Sequence, residues 1–129
     1  MLKHCNRRLF CLLAGLALLT GTGAALQAAD DPGAAQFKKS CGTCHSVDPK
    51  SPPRQGPNLH RVIGRAAGSM KGFKYSPAFQ KAKSGITWDA ATLDRWITNP
   101  QDVIPGTVML YHQSDADKRQ LVIEYLKAH

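Results

Sequence analysis

Cys41-Gly42-Thr43-Cys44-His45 decides how this chain is read. Two thiols separated by two residues and followed at once by an imidazole form the attachment signature of a c-type haem. The spacing has a chemical basis. The thiols add across the two vinyl groups on one haem edge, and the next residue then lies beneath the iron, where His45 offers a ring nitrogen. A thioredoxin-like dithiol would need a βαβ surround, and the flanking sequence has none. A structural zinc would need a second ligand pair, whereas His60, His112 and His129 are scattered singly.

Working outward, Asp31-Pro32 opens a helix predicted to run to about Ser40. Proline suits its first turn, and Asp30 or Asp31 is placed to cap it. Gly33, Phe37 and Cys41 recur at spacing four on one face. Between Ser46 and Ile86 the chain carries five prolines and five glycines, which rules out one long helix. Only short helical turns are expected there, near Leu59 to Ile63 and Ser76 to Lys83. A loop this long needs a task, and wrapping a large flat ligand is one. Thr87 is predicted to cap a helix ending near Thr98, with Leu93, Trp96 and Ile97 on its apolar side and Asn99-Pro100 as its stop. After a loop from Gln101 to Gln113, a last helix is expected from Ser114, with Asp117 at the reciprocal capping position and an apolar stripe of Leu121, Val122, Tyr125 and Leu126.

The first residues differ from the rest. Lys3, Arg7 and Arg8 precede an apolar run from Leu9 to Leu19 and then small residues, the pattern of a secretory signal with cleavage expected after Ala28. The run is shorter than the roughly 20 apolar residues that span a bilayer. Residues 1–28 are thus read as the signal and 29–129 as one exported domain. Beyond residue 28 there are fourteen basic and nine acidic residues, a net charge of +5. Of those 101 residues, 25 are large apolar types and 16 are Gly or Pro, so the core is thin and a bound group is expected to help fill it. The modest charge and the lack of a basic-aromatic groove argue against nucleic-acid binding.

A haem iron has a sixth position, and its occupant sets the function. Beyond residue 28 the methionines are Met70 and Met109. Met70 lies in a polar, glycine-flanked stretch. Met109 follows Pro105-Gly106-Thr107-Val108, a rigid turn that can aim a thioether inward, and is read as the ligand.

These pieces are similar, in order, to the class I cytochromes c. Gly33 and Phe37 precede the Cys41–His45 motif. Gly56-Pro57-Asn58-Leu59-His60 follows, with Gly64-Arg65, Gly72-Phe73-Lys74-Tyr75-Ser76, Gly85-Ile86-Thr87-Trp88, Asn99-Pro100, the segment ending at Met109 and the helix from Leu121 to Leu126. The resemblance implies an all-α fold: three main helices and short turns wrapping one covalent haem c, with the terminal helices crossing at Gly33, Phe37, Val122 and Tyr125. It implies thioether bonds to Cys41 and Cys44, iron ligation by His45 and Met109, and a Pro57 carbonyl accepting the other ring N–H of His45. Arg65, Tyr75, Trp88 and Thr107 would contact the haem propionates.

The implied function is a monomeric single-electron carrier serving acidic faces of redox partners such as an oxidase, a reductase, a bc-type complex or a dehydrogenase. Lys38, Lys39, Lys71, Lys74, Lys81 and Lys83 would form the docking rim. The alternatives are a haem enzyme or gas-binding protein with a weakly held sixth ligand, and a haem subunit of a dehydrogenase or reductase complex. No convincing distal acid-base pair supports the former. The chain departs from the family at Val108, where several better-known relatives have Lys, and at Trp96, where many have Tyr. The second change is expected to remove a phenolic hydrogen bond near the Met sulfur. His112, three residues past Met109, is a candidate replacement ligand when the loop loosens.

Overall fold

The computed structural model describes residues 31–129, so the signal expected over residues 1–28 lies outside the described residues. Five helices follow in order: α1 (Pro32–Ser40), α2 (Pro77–Ala82), α3 (Ala90–Thr98), α4 (Pro100–Val103) and α5 (Ala116–Lys127). Among the described residues no strand forms. One isolated antiparallel bridge joins Ala66 to Thr87, and among the described residues no helix is long and apolar enough to cross a membrane.

α1 starts as expected, with Asp31 Oδ1 accepting from the Gly33 N–H at 2.8 Å and Pro32 in the first turn. It stops where the Cys41 and Gly42 N–H groups both reach back to the Phe37 carbonyl, at 2.8 and 2.9 Å. Bonds from the Cys44 and His45 N–H groups to the Cys41 carbonyl, 3.1 and 2.9 Å, continue the coil as a turn through the thiol motif. α2 occupies the Ser76–Lys83 region, capped by Ser76 Oγ, whereas Leu59 to Ile63 forms only turns.

Two helix starts differ from expectation. α3 is capped by Asp89, whose Oδ1 accepts from the Thr92 N–H at 2.6 Å. Thr87 is held in the bridge instead, and neighbouring Trp88 is pinned extended by its N–H to the Arg65 carbonyl (2.9 Å) and by the Gly64 N–H to its own carbonyl (2.8 Å). α5 is capped by Asp115, which accepts from the Lys118 N–H, so Ser114 precedes the cap and Asp117 lies in the first turn, where a carboxylate favours the positive helix end. The stretch after Asn99 is also more regular than a loop. Asn99 ends α3 and, through Oδ1, caps the single turn of α4.

The frame is α5 packed against both α1 and α3. At the first crossing, a Cβ on Gly33 would stand 2.9 Å from both the Leu121 carbonyl oxygen and Tyr125 Cβ, so only glycine permits this approach. Beside it the Phe37 and Tyr125 rings lie 5.1 Å apart. At the second, Arg119 Nε meets Asp94 Oδ1 at 2.8 Å, and Nη1 of the same guanidinium donates to the Gln113 and Ser114 carbonyls. Because α5 faces two helices, its buried set is Val122, Ile123 and Leu126, shifted from the stripe expected by the addition of Ile123, while Leu121 and Tyr125 are half-buried. Phe79, Trp88 and Trp96 form an aromatic cluster between α2 and α3. Ile104, fully buried, closes the core behind α4.

Two outcomes follow from these crossings. Gly33→Ala forces backbone apart and is expected to cost about 1–3 kcal/mol in urea unfolding; an unchanged midpoint contradicts the close approach. Arg119→Ala, which removes a partly buried ion pair and two carbonyl contacts, should cost roughly 1–3 kcal/mol. Lys118→Ala, in an exposed pair with Asp115, should leave the midpoint nearly unchanged, because solvent screens such pairs. Equal losses would remove the distinction.

Candidate haem site

The thiol motif leaves α1 as a turn and presents Cys41 and Cys44 half-buried, unbridged to each other. Burial pushes the Cys41 thiol up to about 11, with Cys44 adding to the rise. That is opposite to the lowered thiol of a redox-active dithiol. Cys44 Sγ lies 3.3 Å from Gln55 Oε1. Among the described residues no group of three or more His, Cys, Asp or Glu side chains is placed to hold a metal ion.

His45 is oriented from the opposite strand of the loop. Its Nδ1 lies 2.8 Å from the Pro57 carbonyl oxygen, an acceptor only, so Nδ1 carries the proton and Nε2 keeps its lone pair. Burial lowers the imidazole pKa, partly opposed by the Pro57 hydrogen bond, and the neutral ring is favoured. Gly56 makes this pairing fit, since a Cβ there would run into the His45 ring. The Gly56 N–H donates to the Cys44 carbonyl at 2.9 Å and the Leu59 N–H to the Ser46 carbonyl at 2.7 Å, binding the loop to the motif.

Asn58, buried at 4 % exposure, completes the cradle. Its Nδ2 donates to the Asp48 and Ser51 carbonyls at 2.7 and 2.9 Å, while Oδ1 accepts from the His60 N–H. The sequence reading quoted Asn58 but gave it no task. The signal was present in its place after Gly-Pro, where an Asn side chain readily satisfies turn backbone.

Arg65, Tyr75 and Trp88 come together on another side of the loop. The Arg65 guanidinium donates to the Asn58 and His60 carbonyls at 2.8 and 3.0 Å. Burial lowers its pKa, with Tyr75 acting the other way. Burial raises the Tyr75 phenol, opposed by the Met70 backbone and the Arg65 charge. The Tyr75 ring stacks on Phe79, which adjoins Trp88. Thr107 is buried, far along the chain in the segment leading to Met109.

Met109 is half-buried against the core while its neighbours Val108 and Leu110 stand about three-quarters exposed, at 74 % and 77 %. Gln101 shapes the approach to it: Oε1 accepts from the Gly106 N–H and Nε2 donates to the Thr107 carbonyl, both at 2.9 Å. Gly106 holds φ +78°, a left-handed conformation that suits glycine. Sequence reading passed over Gln101, because nothing local marks a glutamine that folds back onto a turn five residues away. The expectation at Trp96 told only half of what the substitution does. A phenol is absent, but the indole Nε1 donates to Met109 Sδ at 3.1 Å. His112 is exposed just beyond.

Of the proposed lysine rim, Lys38, Lys39, Lys71, Lys74 and Lys81 are exposed. Lys83 is half-buried, with its stem lying over Gly68.

These residues fit a haem through the chemistry of the donor set. Two adjacent thiols, a neutral imidazole with a free nitrogen and a half-buried thioether, with partly buried apolar side chains such as Leu59, Ile63 and Ile86 packed against the core, suit a flat apolar ring with an iron at its centre.

No family model matches the chain. It is 43 % identical over 95 residues to cytochrome c2 of Rhodomicrobium vannielii, covering 74 % of this chain and 74 % of that one. It is 38 % identical to cytochrome c of Kluyveromyces lactis, over 74 % of this chain and 87 % of the relative. It is 40 % identical to cytochrome c-550 of Novispirillum itersonii, over 71 % and 91 % respectively. With that similarity across the helical fold and the attachment motif, the chain belongs to the class I c-type cytochromes, electron carriers rather than enzymes, each holding one covalently attached haem c.

Proposed function

We propose that this cytochrome is a periplasmic carrier whose haem is tethered by Cys41 and Cys44 and held between His45 and Met109. The observation that carries the reading is the 2.8 Å contact of His45 Nδ1 with the Pro57 carbonyl, which fixes the tautomer that frees Nε2 for iron. When bound, the haem supplies a one-electron Fe(III)/Fe(II) couple, and a His/Met pair raises its potential.

The rest is the work of the chain. Gln101 grips the Pro105-Gly106 turn that precedes Met109, and Met109 would then hold the iron on the side away from His45, leaving no open position for a substrate. Arg65, Tyr75, Trp88 and Thr107 would hold the propionates. Arg65 supports this with a charge fixed by two loop carbonyls, Tyr75 and Trp88 by their shared packing on Phe79, and Thr107 by burial beside the Met109 segment.

The exposed lysines and the net charge of +5 beyond residue 28 favour encounter with acidic faces on the partner. Val108 and Leu110, exposed on either side of Met109, supply apolar contact once the two proteins meet. The carrier acts as a monomer between an oxidase, reductase, bc-type complex or dehydrogenase, and nucleic acid is not among its partners. The basic start with Lys3, Arg7 and Arg8, followed by an apolar run, supports export.

Two variants test the ligand set. In Met109→Ala the sulfur-to-iron charge-transfer band should disappear and the ferrous protein should bind carbon monoxide readily; an unchanged spectrum, indifferent to carbon monoxide, refutes Met109 as ligand. In Gly56→Ala the added methyl displaces the His45 ring, and the yield of low-spin holoprotein should fall by about tenfold, as expected where a group that orients a metal ligand is lost. A wild-type yield and spectrum would contradict the role given to the Gly56–Pro57 cradle.

A further inference from the structure

Trp96 sits on the buried side of α3 at 8 % exposure. Its ring meets Phe79 edge-on at 5.9 Å and Trp88 at 5.2 Å, so neighbours on two sides fix the plane of the indole. From that seat Nε1 lies 3.1 Å from Met109 Sδ, thirteen residues away in a segment that contains no helix. A buried indole N–H needs a partner, and here the partner is a thioether. Sulfur in a thioether is a weak acceptor with two lone pairs, and an indole nitrogen is a donor only.

We propose that Trp96 is a positioning residue for Met109, its indole N–H clamping one lone pair of the sulfur and leaving the other for the iron. The proposal rests on the reading of Met109 as the sixth ligand. A hydroxyl at this place could turn to accept from other groups when the charge on the metal changes. The indole N–H has no such alternative, so its hydrogen bond to sulfur persists in both oxidation states. A donor on sulfur withdraws electron density from it. The sulfur then gives less to the metal, and the ferric form, which needs that density more, loses more. The clamp therefore favours the ferrous form.

The test replaces the donor without emptying the site. Site-specific exchange of Trp96 for 3-benzothienylalanine keeps the bicyclic shape and substitutes sulfur for the N–H; Trp96→Phe is the genetically encoded companion. Reduction potentials of the holoproteins are measured by equilibrium titration, with the sulfur-to-iron band and the hydrogen exchange of the Trp96 indole followed alongside. The expected result is a slowly exchanging indole proton in both oxidation states of the unsubstituted protein. Both variants should retain the sulfur band and fall in potential by about 30 mV, which is a threefold change in the one-electron equilibrium at 59 mV per tenfold. Potentials within error of the unsubstituted protein in the benzothienyl variant, or an indole proton exchanging as fast as an exposed one, would overturn the proposal. Absence of the sulfur band from the unsubstituted protein would overturn the ligand reading itself, and the proposal with it.

Discussion

The hydrogen bond from His45 Nδ1–H to the Pro57 carbonyl organises the molecule around it. It requires the loop backbone to lie flat against the imidazole, which is why residue 56 has no side chain. It joins the end of α1 to a loop twelve residues further on, and that loop then has to be held in place. Asn58 does this by tying three backbone groups, and Arg65 by binding the Asn58 and His60 carbonyls from the other side. The polar groups in this region satisfy one another: among the described residues, no buried side-chain nitrogen or oxygen lacks a partner.

The Met109 segment is held by a separate device. Gln101 grips the turn at Gly106 and Thr107, and Trp96 meets the sulfur of Met109 from α3. The two halves are kept in relation by α5, which packs on α1 at Gly33 and Phe37 and on α3 at Asp94. Glycine at 33 lets the first contact close, and the Arg119–Asp94 pair ties the second. A chain with so few large apolar residues spends most of its helices on this frame, and the wrap between them is loop stabilised by hydrogen bonds. Such a wrap suits a rigid planar group that contributes its own apolar surface.

The attachment motif was legible because its chemistry is covalent and local: five consecutive residues suffice. The starts of α1, α2, α3 and α5 were legible to within two residues because Asp, Ser and Pro sit where caps require them, whereas the single turn of α4 was read as loop. The errors have physical causes. Thr87 looked like a cap in isolation, but the Ala66 bridge draws it into extended backbone, and Asp89 takes the task. Ile123 fell outside the expected stripe because α5 serves two neighbours, which one helix's periodicity does not show. Asn58 and Gln101 act through backbone partners that only the folded loops bring near. At Trp96 the expected loss of a phenol concealed an indole that donates from the same region. A change of residue type removed one donor and supplied another.

The most direct test of the central claim is the visible and near-infrared spectrum of the purified holoprotein, oxidised and reduced, with and without carbon monoxide. Ligation by His45 and Met109 predicts a low-spin c-type spectrum with a sulfur-to-iron charge-transfer band in the ferric state and no response to carbon monoxide in the ferrous state. A high-spin spectrum that shifts readily with carbon monoxide would contradict it, because the sixth position would then not be closed by Met109.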